Sequence, residues 1–62
     1  MNWFPAGIIV PEDKKIVNMI TIQGDTIRGY WWERKRGFFS EDNKVLWAVT
    51  WWSEIEEVKD DL

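Results

Sequence analysis

Residues 45–52, VLWAVTWW, decide how the rest of this chain can fold. Successive side chains of a β-strand point to opposite faces, so a strand over this stretch is apolar on both sides. We expect the odd-numbered face to lie in the core, because its members are all large and apolar: Val45, Trp47, Val49 and Trp51. The other face then needs cover from a helix, a second copy of the chain or a partner protein.

Two β-branched runs precede this strand, at residues 15–22 and 26–32. A two-residue turn at Gly24 and Asp25 between them pairs Gln23 with Thr26 and fixes the register of a hairpin. In that register the expected core face carries Ile16, Ile20, Ile22, Ile27 and Trp31. The opposite face mixes aromatic, apolar and basic groups, and we expect it to be partly exposed: Val17, Met19, Thr21, Arg28, Tyr30 and Trp32.

The remaining segments complete a single small domain over residues 1–62. Residues 1–14 contain two prolines and predict an irregular arm packed on the sheet, followed by antiparallel strands within residues 15–52. Ser53 stands three residues before Glu56, as in a capping box, which predicts a short helix or tail over residues 53–62. The predicted fold is mainly β or α+β, a three- to four-stranded antiparallel meander with a short C-terminal helix.

The composition argues against an enzyme. The 62 residues include no histidine and no cysteine, so the usual proton shuttle, soft metal ligands and strongest nucleophile are missing. We therefore predict no catalytic residues, no cofactor and no metal. Six tryptophans are hard to enclose in a domain that buries only about 60% of its unfolded surface, so we expect some of them to be exposed.

Charge is distributed unevenly along the chain. The net charge is −3, yet residues 28–39 carry a local +3 and residues 41–62 a local −5. A net negative protein is a poor general ligand for nucleic acid or anionic membranes. No apolar run approaches the ~20 residues of a membrane span, and no signal peptide is recognisable. We expect no membrane association and a cytoplasmic protein.

The basic and aromatic segment at residues 28–39 is the best candidate for a binding surface. Aromatic and arginine side chains are typical of protein-protein hot spots, although the same groups also pair structurally across neighbouring strands. The predicted partner-binding residues are Arg28, Tyr30, Trp32, Arg34, Arg36 and Trp52. They predict a non-enzymatic protein-interaction module. Self-association into a homodimer through the same sheet face is a hypothesis of equal weight.

Two alternatives involve nucleic acid. Rings and cations at residues 28–39 are also what a single-stranded nucleic-acid binder uses to stack bases and contact phosphates. The acidic residues 54–61 resemble the charge display of a nucleic-acid mimic, although a solvated face explains such a run more simply. The net negative charge favours a protein partner over nucleic acid.

Several short motifs follow one another in the order of a known small domain: Trp3-Phe4-Pro5, Val10-Pro11-Glu12-Asp13, Gly24, Gly29-Tyr30-Trp31, Phe38 and Val49-Thr50-Trp51-Trp52-Ser53-Glu54-Ile55. Over residues 3–55 the chain resembles the phage and prophage family that is number five-five-one in the domain-of-unknown-function series. The resemblance implies a small β-rich fold and a phage or mobile-element origin, and no particular activity. By analogy with small phage accessory proteins, it implies binding and modulation of a host protein in the host cytoplasm.

Overall fold

The computed structural model describes residues 2–55, which form one six-stranded sheet whose paired strands are all antiparallel. The strands are β1 (Phe4–Pro5), β2 (Val17–Thr21), β3 (Thr26–Trp32), β4 (Gly37–Ser40), β5 (Val45–Leu46) and β6 (Val49–Glu54). Their order across the sheet is β1-β6-β2-β3-β4-β5. The mainly β prediction is confirmed, with more strands than the three or four expected.

The connection between β5 and β6 shows that the sheet is strongly curled. Strands β2, β3 and β4 lie between β5 and β6 in the sheet order, so a flat sheet would separate the two by roughly 19 Å. The chain from Leu46 to Val49 spans at most about 11 Å. The sheet must therefore bend until β5 comes close to β6, and the bend gives it an inner and an outer face.

The core lies on the inner face. Val17 and Met19 of β2 are fully buried, and Trp52 of β6 and Phe38 of β4 are nearly so. Gly29 of β3 leaves the space that Met19 occupies, because a Cβ there would overlap both the Met19 side chain and the backbone of Phe39. Partly buried apolar side chains complete this cluster, namely Phe4, Trp31, Leu46 and Val49.

The N-terminal arm closes the inner face over β6. Pro5 lies in β1, an edge strand, which is where a residue without a backbone N–H is tolerated. After β1, the Ala6 backbone N–H donates to Thr50 at 2.9 Å, and the Ile9 carbonyl accepts the indole N–H of Trp52 at 2.8 Å. The arm therefore crosses β6 to reach β2 and buries Trp52 beneath it.

The expected register of the β2–β3 hairpin is wrong. Ile20, rather than Gln23, pairs with Thr26, and Met19 pairs with Ile27. The turn is wider than two residues: the Thr21 N–H donates to Asp25 at 3.0 Å, and Gly24 has a φ of 92° within the loop. The three-residue offset is odd, so it turns the other face of β2 toward the core.

The expected core face of residues 45–52 is wrong for Val45, Trp47 and Trp51, and of that face Val49 alone packs against the core. The stretch is two strands interrupted at Trp47, which is 91% exposed, while Val45 and Trp51 are 46% and 44% exposed. In the β2–β6 ladder Ile20 pairs with Trp51 and Thr21 pairs with Val49, so Thr50 is an additional, bulged residue. Such a bulge reverses the alternation, and both Val49 and Trp52 therefore contact the core.

The C-terminal prediction is only partly covered by the described residues. Strand β6 extends to Glu54, so Ser53 is a buried strand residue and not the cap of a helix. Glu54 forms an ion pair with Lys15, two residues before β2. The remainder of the expected helix, residues 56–62, lies outside the described residues, and so does most of the acidic segment considered as a nucleic-acid mimic.

Candidate binding surface

Three aromatic side chains meet on the outer face of β3 and β4. Tyr30 and Trp32 alternate along β3 with inner-face residues, and Phe39 lies opposite Tyr30 on β4. The rings of Tyr30 and Phe39 are stacked, with centroids 5.7 Å apart and planes at 14°. Trp32 meets Phe39 edge to face at 5.5 Å. We call these three residues the aromatic cluster.

Two lysines from different loops converge on this cluster. The ammonium of Lys14 lies 4.6 Å from the centroid of the Trp32 ring, and the ammonium of Lys35 lies 4.9 Å from the same ring. Both distances are within the range of a cation-π interaction. The outer surface of β3 therefore combines an aromatic floor with two positive charges.

The backbone holds both lysines in place. Lys14 has a φ of 61°, a left-handed conformation that is uncommon for a residue with a side chain, and its N–H donates to the Trp31 carbonyl at 2.7 Å. Lys35 lies in the turn at residues 33–36, where its N–H donates to the Trp32 carbonyl at 3.1 Å. Asp13 joins the two loops by accepting the Glu33 N–H at 2.9 Å.

The cluster and the lysines line an open depression of about 640 Å³. Asn43, from the β4–β5 turn, forms one side of it. Its Oδ1 accepts a hydrogen bond from the Tyr30 hydroxyl, with 2.8 Å between the two oxygens. Ile16 adds an apolar side chain at the rim. The depression thus offers apolar surface, ammonium groups and one side-chain amide within a small area.

The predicted site residues fall into three groups. Tyr30 and Trp32 are half-buried members of the aromatic cluster, and Arg28 is exposed two residues before Tyr30 on β3. Arg34 and Arg36 are exposed in the turn at residues 33–36. Trp52 is only 6% exposed and packs its ring 4.7 Å from Phe4, so it belongs to the core and not to any exposed surface.

Five residues that line the depression are not among the predicted partner-binding residues: Lys14, Ile16, Lys35, Phe39 and Asn43. Lys35 and Phe39 lie inside the basic and aromatic segment, and strand alternation relative to Tyr30 would have identified Phe39. Lys14 comes from the arm, 18 residues before Trp32. No local sequence pattern predicts the contact of its ammonium group with the Trp32 ring. The bridge between Asp13 and Trp31 and the hydrogen bonds around it bring the arm alongside β3.

A second apolar area lies on the outer face of β2 and β6. Trp51 and Ile20 are paired residues of the ladder, and Trp3 of the arm lies beside them around a shallow depression of about 270 Å³. Trp47, between β5 and β6, lines another depression next to the turn at residues 33–36, which shares Lys35 and Phe39 with the first one. Exposed tryptophan therefore occurs in more than one place on this protein.

The β4–β5 turn beside Asn43 is organised by Ser40. Its hydroxyl donates to Asp42 and accepts the Lys44 backbone N–H at 3.1 Å. The hydrogen bond from Ser40 lowers the pKa of Asp42, and the more distant Lys44 ammonium adds to that effect. Asn43 has a φ of 67° in this turn, so its position at the rim depends on the same hydrogen bonds.

Fold and surface together define a small, curled β-sheet protein with an aromatic and basic depression on its outer face. Within residues 2–55 no group of three or more acidic, histidine or cysteine side chains is arranged to hold a metal ion. The described part of the chain has no helix that could cross a membrane. Comparisons with protein-family models, curated proteins and solved structures find no match. The resemblance of residues 3–55 to the phage family stays a prediction.

Proposed function

We propose that the protein is a non-enzymatic interaction module that binds a protein partner through the aromatic cluster. The observation that carries this proposal is the convergence of Tyr30, Trp32 and Phe39 with two ammonium groups around one open depression. Binding energy in protein interfaces concentrates in such aromatic and cationic groups. Arg28 on β3 and Arg34 and Arg36 in the turn at residues 33–36 are exposed charges outside the lining of the depression, and they attract the partner at longer range.

A protein partner fits the ring geometry better than single-stranded nucleic acid does. Bases stack on free ring faces. Tyr30 and Phe39 stack on each other, and ammonium groups lie over Trp32. An unpaired base would have to displace these contacts before it could stack, whereas an apolar peptide side chain packs against ring edges without displacing them.

The remaining parts of the proposal concern the biological setting. We propose a phage or mobile-element accessory protein that modulates a host protein in the host cytoplasm. This part rests on the resemblance of residues 3–55 to the phage and prophage family and on the sequence composition. The proposed binding at the aromatic cluster does not depend on it.

The proposal is tested by selection from a displayed library of random short peptides on the immobilised full chain. Peptides selected on the wild type should bind Trp51→Ala about as well but lose at least about tenfold in affinity for Trp32→Ala. Trp51→Ala is the matched control, because it removes a second exposed tryptophan from another part of the outer face. Equal binding to all three proteins, in samples with unchanged thermal denaturation, would refute the proposal.

Self-association is a second candidate, favoured by the area around Trp3, Ile20 and Trp51. Two copies that meet there would bury apolar surface which the described residues leave exposed. Sedimentation equilibrium should then show a dimer that Trp51→Glu dissociates and Trp47→Glu does not. A wild-type protein that stays monomeric at millimolar concentration excludes the dimer.

A further inference from the structure

The two lysines at the depression have no carboxylate partner among residues 2–55. The ion pairs found there are Lys15 with Glu54 and Lys44 with Asp42. Lys14 and Lys35 instead share the ring of Trp32, and each raises the positive potential at the other. An anion that reaches the depression therefore meets two ammonium groups that do not have to break an ion pair in order to bind it.

Two acidic groups close to these lysines in the chain form hydrogen bonds with other residues. Glu33 accepts the indole N–H of Trp31 at 2.8 Å through Oε1. Asp13 accepts the Glu33 backbone N–H at 2.9 Å. These bonds fix the loops that carry Lys14 and Lys35, so the carboxylates help to build the site while the ammonium groups stay available.

We propose that the depression binds an acidic, extended segment of the partner protein, an inference that rests on the proposed function. Carboxylates of the segment pair with Lys14 and Lys35, and an apolar side chain packs against Tyr30 and Phe39. Asn43 accepts from Tyr30 through Oδ1, and its amide nitrogen is a donor suited to a peptide carbonyl. Charge complementarity selects the partner, and the aromatic floor supplies the apolar contact.

Two features favour an acidic peptide over a nucleic-acid strand. Only two cations line the depression, whereas a strand needs a continuous basic track for its phosphates. The net charge of −3 also repels a nucleic-acid strand, which carries many negative charges along its length. A short acidic peptide carries few charges and is repelled less.

The test uses the full chain and the peptides selected on it. The selection should enrich aspartate and glutamate next to apolar residues. The most enriched peptide is then synthesised with its acids and again with each acid replaced by its amide, and binding is followed by fluorescence anisotropy. We expect the acidic form to bind about tenfold tighter or more, and this difference to shrink as salt increases.

Matched double variants locate the charge effect. Lys14→Gln with Lys35→Gln should abolish the preference for the acidic peptide. Lys15→Gln with Lys44→Gln removes the same net charge from lysines that already have carboxylate partners, and it should keep the preference. Equal losses in both double variants, or no acidic preference in the wild type, overturn the inference. A single-stranded oligonucleotide that binds more tightly than the acidic peptide overturns it as well.

The outcomes separate this inference from the proposed function. If selected peptides depend on Trp32 but bind equally well as acids and as amides, the interaction surface stands and the acidic partner is wrong. If binding does not depend on Trp32, the proposed function itself fails.

Discussion

The indole N–H of Trp52 donates to the carbonyl oxygen of Ile9 at 2.8 Å, which ties the most buried tryptophan to the arm that covers it. Packing and hydrogen bonding thus act at the same residue. The arm contributes few large side chains of its own to the core, since Ile8, Ile9 and Val10 are all exposed. Its attachment to β6 therefore depends on the pairing of β1 with β6, on the contact of Phe4 with Trp52 and on these hydrogen bonds, which include the Ala6 N–H bond to Thr50. The burial of Ala6 and Pro11 adds to it.

Trp52→Phe should destabilise the fold by about 1–2 kcal/mol, because it removes the hydrogen bond to Ile9 and part of the buried ring. Denaturant unfolding followed by circular dichroism measures the difference. Trp47→Phe makes the same change at a site that is 91% exposed and should shift stability by less than about 0.5 kcal/mol. Equal effects of the two substitutions would contradict the core assignment.

Gly29→Ala should cost about 1–3 kcal/mol or more, because the added methyl overlaps the Phe39 carbonyl oxygen of the neighbouring strand as well as Met19. A backbone atom of a paired strand cannot move aside without disturbing the ladder. Gly7→Ala is the control, since a Cβ at Gly7 meets nothing within 4 Å. Thermal unfolding of both variants measures the two changes in stability. A Gly29→Ala protein as stable as the wild type would refute the close approach of β3 and β4.

Asp42 should titrate below its ordinary range, and Ser40→Ala should raise its pKa, because the Ser40 hydroxyl is the largest cause of the lowering. A carboxyl with a lowered pKa in the folded state stabilises the fold above its unfolded pKa, and this contribution is lost as pH falls through the folded value. Acid should therefore weaken the β4–β5 turn of the wild type more than that of Ser40→Ala.

Carboxyl chemical shifts measured by NMR across the acid range test the Asp42 prediction. Lys44→Gln serves as the comparison, since its ammonium is 4.0 Å from the carboxylate and both groups are largely exposed, so the change in pKa should be smaller. A larger change in Lys44→Gln than in Ser40→Ala would contradict the assignment.

The sequence predicts the β-rich class, most of the strand positions and the buried face of β3, but not the buried faces of β2 and of residues 45–52. Residues 15–22 and 45–52 are apolar on both faces, so hydrophobic pattern alone cannot choose between registers that differ by an odd number of residues. The choice depends on the wide turn at residues 22–25 and on the bulge at Thr50. Neither has a unique sequence pattern, and both involve hydrogen bonds between residues far apart in the chain: the Ile22 N–H donates to Ala48, and the Thr50 hydroxyl donates to Ile20.

The candidate surface could be predicted in part for a related reason. Tyr30, Trp32 and the flanking arginines are adjacent in sequence, and their clustering needs only the alternation of β3. The lysine pair depends on a contact between the arm and β3, which is a property of the topology. A regular strand over residues 45–52 would place Trp52 on the exposed face, whereas the bulge at Thr50 places it in the core.

The central claim, that the depression at the aromatic cluster binds a partner segment, is tested most directly by NMR with the tryptophan indole N–H groups as reporters. Titration of the labelled full chain with a selected peptide should shift the indole resonance of Trp32 strongly and leave those of Trp51 and Trp52 nearly unchanged. Shifts confined to Trp47 or Trp51, with Trp32 unaffected, would contradict the claim.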